Sequence, residues 1–239
     1  MNAEPPQQTY HYRILQRGTL PLSPEGAMDI SIEHRCTSVV IWPAGESPLP
    51  ARAIFTDPCF TTAGKKEAQK QIERIGLTLN AMRLIFVTHR HRDHLPTDFD
   101  RDTMHIFQTR IPAEFPDIAI ERCPGHALDL HALIFRNVHD KIVWVVGDAI
   151  LNRAWMLAWG YFWPNKYSRD EIAATWRSVA KIVANADLVI PGHGDEIRIT
   201  PELIETMLNR FLNAPCAEMV PDIAITLREC LQRRKHPAP

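Results

Sequence analysis

Short apolar runs punctuated by turn-forming residues organise this chain. Leu84-Ile85-Phe86-Val87, Ile142-Val143-Trp144-Val145-Val146 and Leu188-Val189-Ile190 are continuous runs of strand length, the pattern of buried strands. Residues 10–18 and 28–42 alternate enough to predict strands of an N-terminal meander. Ala53-Ile54-Phe55-Thr56 predicts another, ending at Asp57-Pro58, and further strands are expected at 84–88, 104–108, 118–122, 130–136, 141–147 and 187–190. Lys65 to Ile75 has helical periodicity, with Gly76 as its stop. Ser168-Arg169-Asp170-Glu171 reads as a capping box opening a helix that runs to about Asn185, and Thr200-Pro201-Glu202 caps a last one. Many strands, with helices interspersed late, predict an α/β chain built as a sheet sandwich with helices outside.

Composition narrows this picture without changing it. The 239 residues contain no internal repeat and no low-complexity linker, so one domain over 1–239 is expected, with 1–8 and 233–239 flexible. A net charge of −1 gives no global electrostatic case for nucleic acid or an anionic membrane surface. No apolar run approaches membrane-spanning length, and the first residues lack the basic and apolar parts of a signal peptide. The five cysteines are scattered and form no CxxC pair. A cytoplasmic protein with reduced thiols is expected, as monomer or homodimer.

The chemistry concentrates in His89-Arg90-His91-Arg92-Asp93-His94, directly behind the first apolar run. Imidazoles with a carboxylate suit zinc, iron or manganese better than calcium or magnesium. In an extended segment His89, His91 and Asp93 can share one side, and a turn at Asp93 brings His94 round. Four donors are too many for one ion that keeps an open position, which suggests two metals. Further candidates each follow a short strand beside a glycine: Gly125-His126, Gly147-Asp148 and Pro191-Gly192-His193-Gly194.

These four blocks, in this order over roughly Ala51 to Thr200, resemble the metallo-β-lactamase-fold hydrolases. The resemblance implies the four-layer αββα sandwich, with His89, His91 and His126 on a first metal, Asp93, His94 and His193 on a second, and Asp148 bridging. It also implies two divalent ions, zinc first, with iron or manganese possible. Catalysis would fall to Asp148, which holds the pair together, and Asp93, which orients a bridging hydroxide and shuttles its proton. Asp57 matches the family's acidic residue at the end of an early strand, where it would accept a histidine N–H, although an Asp-Pro turn explains it as simply.

The expected activity is hydrolysis of a small carbonyl substrate: an ester, lactone or thioester. Leu151 stands where the related lactonases carry a catalytic tyrosine, with Tyr161 or Tyr167 as substitutes, and little chain follows Leu212 for a glyoxalase II-type helical region. A small phosphodiesterase or nuclease, and a mononuclear-iron persulfide dioxygenase, are the alternatives within the fold. Full retention of the ligands argues against a mere scaffold. Trp155, Trp159, Tyr161 and Trp163 form an aromatic segment that is read as pocket wall, local core or dimer contact. Arg90 and Arg92 either draw an anionic substrate or pair with Asp98 or Asp100. The other histidines, His11, His34, His105, His131, His139 and His236, are read as structural or surface residues.

Overall fold

In the computed structural model, which describes residues 7–96 and 102–236, two five-stranded sheets pack face to face. The first contains, in spatial order, β1 (Tyr10–Gln16), β2 (Ser38–Pro43), β3 (Ile54–Thr56), β4 (Leu84–Phe86) and β5 (His105–Phe107). β2 is antiparallel to both β1 and β3, and β3, β4 and β5 are parallel. The second contains β6 (Ala119–Arg122), β7 (His131–Arg136), β8 (Ile142–Gly147), β9 (Leu188–Pro191) and β10 (Ile197–Arg198), also in spatial order. There only β8 and β9 are parallel.

The two-residue period of a strand explains the layering. Val39 and Ile41 of β2 meet Val143 and Val145 of β8 in the core between the sheets. Their neighbours face the other way. Val40 packs under α1 (Thr62–Glu73) with Ala68 and Ile72. Trp144 and Val146 pack under α3 (Arg169–Asn185), α4 (Pro201–Phe211) and α5 (Asp222–Lys235). Each fully buried aliphatic side chain contributes about 1.5–3 kcal/mol, and both faces of both sheets gain it. This is why the strands read as continuous apolar runs, and why the layers are helix, sheet, sheet, helix. The capping box at Ser168 is formed, with its hydroxyl accepting from Glu171 N and the Glu171 side chain accepting from Ser168 N.

Three local expectations differ from the structure. The alternation at Met28, Ile30 and Ile32 is real, yet 28–37 forms no strand, and Ile30 is 92% exposed. Residues 19–35 instead form a projecting hairpin, closed by paired backbone bonds between Thr19 and Arg35 and an isolated bridge between Leu22 and Met28. Residues 233–235, expected to be flexible, form the last turn of α5, which continues to Lys235. Arg234 donates to Asp187 Oδ1 and to the Ala186 carbonyl, and Lys235 pairs with Glu205. Basic side chains in that last turn also complement the helix dipole. At the other end Gln8 is held, its N–H donating to Asp117 at 2.9 Å. Among the described residues no helix is long and apolar enough to cross a membrane.

Candidate metal centre

The site is built from loops at one end of both sheets. Beyond β4 the chain continues through Val87 and Thr88 to His89, which is fully buried. A turn over 92–94, closed by His94 N–H donating to the His91 carbonyl at 3.1 Å, separates the motif into two pairs. His89, His91 and Asp93 therefore do not share one side: the turn starts before Asp93 and sends it, with His94, to the other half. Asp148 and His193 come from the ends of the adjacent parallel strands β8 and β9, where Gly147 lies opposite Pro191. His126 follows β6 through Gly125.

Two of the glycines are sterically required here. Gly147 has φ +48°, and a Cβ on it would lie 2.4 Å from Thr88 Oγ1. A Cβ on Gly192 would lie 1.9 Å from Asp148 Oδ1.

Ligand-competent atoms converge in two groups, His89 with His91 and His126, and Asp93 with His94 and His193, each including Asp148. Asp148 stands between the two groups, and its Oδ2 also lies 3.4 Å from His193 Nε2. Oδ2 lies 3.2 Å from His126 Nε2 and 3.8 Å from His89 Nε2. Oδ1 lies 3.1 Å from His193 Nε2 and 3.2 Å from His94 Nε2. His91 Nδ1 is 3.0 Å from His126 Nε2, and Asp93 Oδ2 is 3.5 Å from His193 Nε2. His89 Nε2, His94 Nε2 and Asp148 Oδ1 are buried without a hydrogen bond, although the last two are close. His89 Nε2 belongs to the first group, His94 Nε2 to the second, and Asp148 to both. Each such orphan costs roughly 1–3 kcal/mol, which a cation at the focus of each group would remove. The donor set therefore fits two divalent ions.

The far sides of His94, His193 and His126 are also held. Asp57 Oδ2 accepts from His94 Nδ1 at 2.8 Å, while Thr88 donates its N–H to Asp57 Oδ1 and its hydroxyl to Oδ2. Asp57 sits at φ +41°, a strained backbone for a non-glycine residue, and these bonds hold it there. His193 Nδ1 lies 2.8 Å from the Arg35 carbonyl, and His126 Nδ1 lies 3.0 Å from the Tyr167 hydroxyl, which also accepts from Asn165. Such partners fix which ring nitrogen faces the metal.

Charge follows this construction. Burial drives His89 down to about 2 and His126 down to about 4, so both imidazoles stay neutral. Burial acts the same way on His94 and His193, but carboxylates outweigh it: Asp148 and Asp57 lift His94 well above the ordinary range, and Asp148 lifts His193. Burial would raise Asp148, yet His193, His94 and His126 around it hold it well below the carboxylate range.

No family model matches the sequence, and no curated protein does either. Solved structures do match. A Thermotoga maritima protein assigned to the metallo-β-lactamases superimposes with TM-score 0.53 at 15% identity, over 80% of this chain and 99% of that one. A metallo-β-lactamase family protein from Thermus thermophilus gives 0.51 at 14%, over 95% and 94%. A Staphylococcus aureus protein assigned as a metal-dependent hydrolase gives 0.56 at 9%, over 79% and 92%. The chain has the metallo-β-lactamase fold.

Within this metallo-β-lactamase fold the seven residues singled out as ligands meet in one place, with Asp57 directly behind them. The aromatic segment behaves differently. Trp155 and Trp159 are buried, their indole N–H groups donating to the carbonyls of Leu22 and Met207, and Trp159 packs between Trp176 and Phe211. With Tyr161 they border a slot of about 20 Å³ behind His126 and Asp148, near the smallest space that holds one water. Trp163 lies outside it, 48% exposed. α2 (Arg153–Ala158) turns Trp155 into the protein, so the indoles of Trp155 and Trp159 serve the core, while Trp163 does not border the cavity.

The open groove over the ligands, about 260 Å³, is bordered by Leu20, His34, Arg92, Leu151, Phe162 and Asn165. Arg90 pairs with Asp129 at 3.6 Å, while Asp98 and Asp100 lie outside the described residues. His34 is not an incidental surface residue, since its Nε2 is 3.2 Å from Asp93 Oδ2. It and Leu20 stand far from every motif in sequence, and only the path of the hairpin brings them here.

Proposed function

We propose that the chain is a dinuclear metal-dependent hydrolase of small carbonyl substrates: esters, lactones or thioesters. The observation that carries this reading is Asp148, shared by both ligand groups and within 3.2 Å of a histidine nitrogen of each. His89, His91 and His126 would hold one ion and Asp93, His94 and His193 the other. The donors suit zinc, with iron or manganese as the other occupants. When bound, the ions supply polarisation of a carbonyl and a water acidic enough to attack it at neutral pH.

The chain's own residues do the rest. Asp148 keeps the two groups in register. Asp93, at 30% side-chain exposure against 5% for Asp148, is the carboxylate that faces the groove and can take a proton toward a leaving group. Leu20, Leu151 and Phe162 offer an apolar side for an acyl chain, and Asn165 and Arg92 offer polar contacts. A groove of this size suits a small molecule better than a polymer. A compartment without exported substrates, the cytoplasm, fits the same reading.

The test is elemental analysis of purified protein beside a panel of aryl esters, lactones, S-acyl glutathione and a phosphodiester. About two zincs per chain with ester, lactone or thioester turnover is expected. A single iron without hydrolysis would sink the reading, and turnover of the phosphodiester alone would replace it with a nuclease.

A further inference from the structure

His34 lies on the hairpin over residues 19–35, far in sequence from the ligand motifs. Three contacts fix where it stands. Arg35, next to it, exchanges backbone bonds with Thr19, and its carbonyl lies 2.8 Å from His193 Nδ1. Thr37 N–H donates to the Gly192 carbonyl at 2.6 Å, tying the same segment to the His193 loop. The His34 ring packs edge-on against the His193 ring, centroids 4.8 Å apart, and its Nε2 reaches Asp93 Oδ2 at 3.2 Å. That oxygen is the one facing His94 and His193. His34 is not within ligand spacing of the whole second group, so its place is beside Asp93 Oδ2 at the groove rather than in the group itself.

We infer that His34 is a positioning residue of the second ligand group: its Nε2–H donates to Asp93 Oδ2 and fixes that carboxylate, coupling the hairpin to occupancy of the second metal position. The inference rests on the two-metal reading above. The physical need is specific to this half. Asp57 braces His94 from inside the protein, and the Arg35 carbonyl braces His193 from the base of the hairpin. The Asp93 side chain is 30% exposed, and a partly solvated carboxylate has several rotamers to lose on binding an ion. By linkage the coupling is reciprocal: an ion that fixes Asp93 also fixes His34, and with it a hairpin whose tip exposes Met28 and Ile30.

The experiment is a titration of metal-free protein with Co²⁺, followed by visible absorbance against a competing chelator, for wild type, His34→Ala and His34→Gln. Wild type should show two steps. His34→Ala should weaken the second step roughly 10–100-fold and leave the first unchanged. His34→Gln, whose side-chain amide N–H can still reach Asp93, should recover most of the loss. Hydrogen exchange over residues 19–35 should slow when the second ion binds wild type, and not in His34→Ala. His34 is on an exposed hairpin, and a wild-type melting temperature for the metal-free variants checks that they fold. An unchanged second step in His34→Ala, or equal weakening of both steps, would overturn the inference. A single step in wild type would overturn the two-metal reading itself, and His34's role with it.

Discussion

The two ligand groups share Asp148 but are made differently. The first, His89, His91 and His126, is all imidazole, and its buried rings are kept neutral by desolvation. The second, Asp93, His94 and His193, is opened to the groove by Asp93 and braced by the carboxylate of Asp57 and the Arg35 carbonyl. One half is ready for a cation without losing protons. The other stores negative charge that its own histidines partly neutralise. The lesson is that a symmetric inventory of donors conceals an asymmetric site: the first half should be the tighter anchor and the second the more adjustable.

The largest test removes what the halves share. Asp148→Asn should cost about a thousand-fold or more in turnover, about 4 kcal/mol of barrier, and should lower the metal content of both halves. Loss of one ion alone, by elemental analysis, would mean that Asp148 serves a single group. Asp57→Asn comes next. It should weaken only the second ion, by roughly 10–100-fold in a chelator titration, and equal weakening of both would erase the distinction between the halves.

Acid should separate them as well. In the metal-free fold His89 and His126 stay neutral down to about 2 and about 4, against an ordinary 6.5. The unfolded chain then binds protons first, so their contribution to stability is lost as pH falls from 6.5 toward 4. For His94 and His193 the sign reverses: their values are raised, so their contribution is full below 6.5 and is lost as pH rises through the folded values. The melting temperature of metal-free His89→Asn should fall less on acidification than that of wild type, and an identical fall would count against the neutral first half. The smallest effect is Tyr167→Phe, which removes the partner of His126 Nδ1. About 1 kcal/mol, a several-fold weakening confined to the first ion, is expected in the same titration.

What the sequence disclosed and what it withheld divides along physical lines. His89 to His94, Gly125-His126, Gly147-Asp148 and Gly192-His193 are legible because each is a local pattern, a donor beside a glycine at the end of an apolar run. The sandwich is legible for the same reason, since continuous runs such as Ile142 to Val146 demand cover on both faces. His34, Leu20 and the Arg35 carbonyl were not legible, because their place depends on the course of a hairpin fixed by backbone pairing. Trp155 and Trp159 were ambiguous for another reason: an aromatic cluster has the same composition whether it lines a pocket or fills a core. α5 escaped notice because Pro221 at its start offers no side-chain cap, and β10 because it has two residues.

The placement of the site at the ends of strands from both sheets has a further consequence. Asp57 and His89 belong to the β3–β4 side, and Asp148 and His193 to the β8–β9 side, so the ions would sit as rivets through two layers otherwise held by interdigitated apolar side chains. Sliding one sheet over the other by a single residue would strand half of each ligand group. Thermal denaturation would then be governed by free metal concentration as much as by the core, with about 2.7 kcal/mol added per ion at a hundred times its dissociation constant. A chelator would act on this protein as a denaturant of the interface between its sheets.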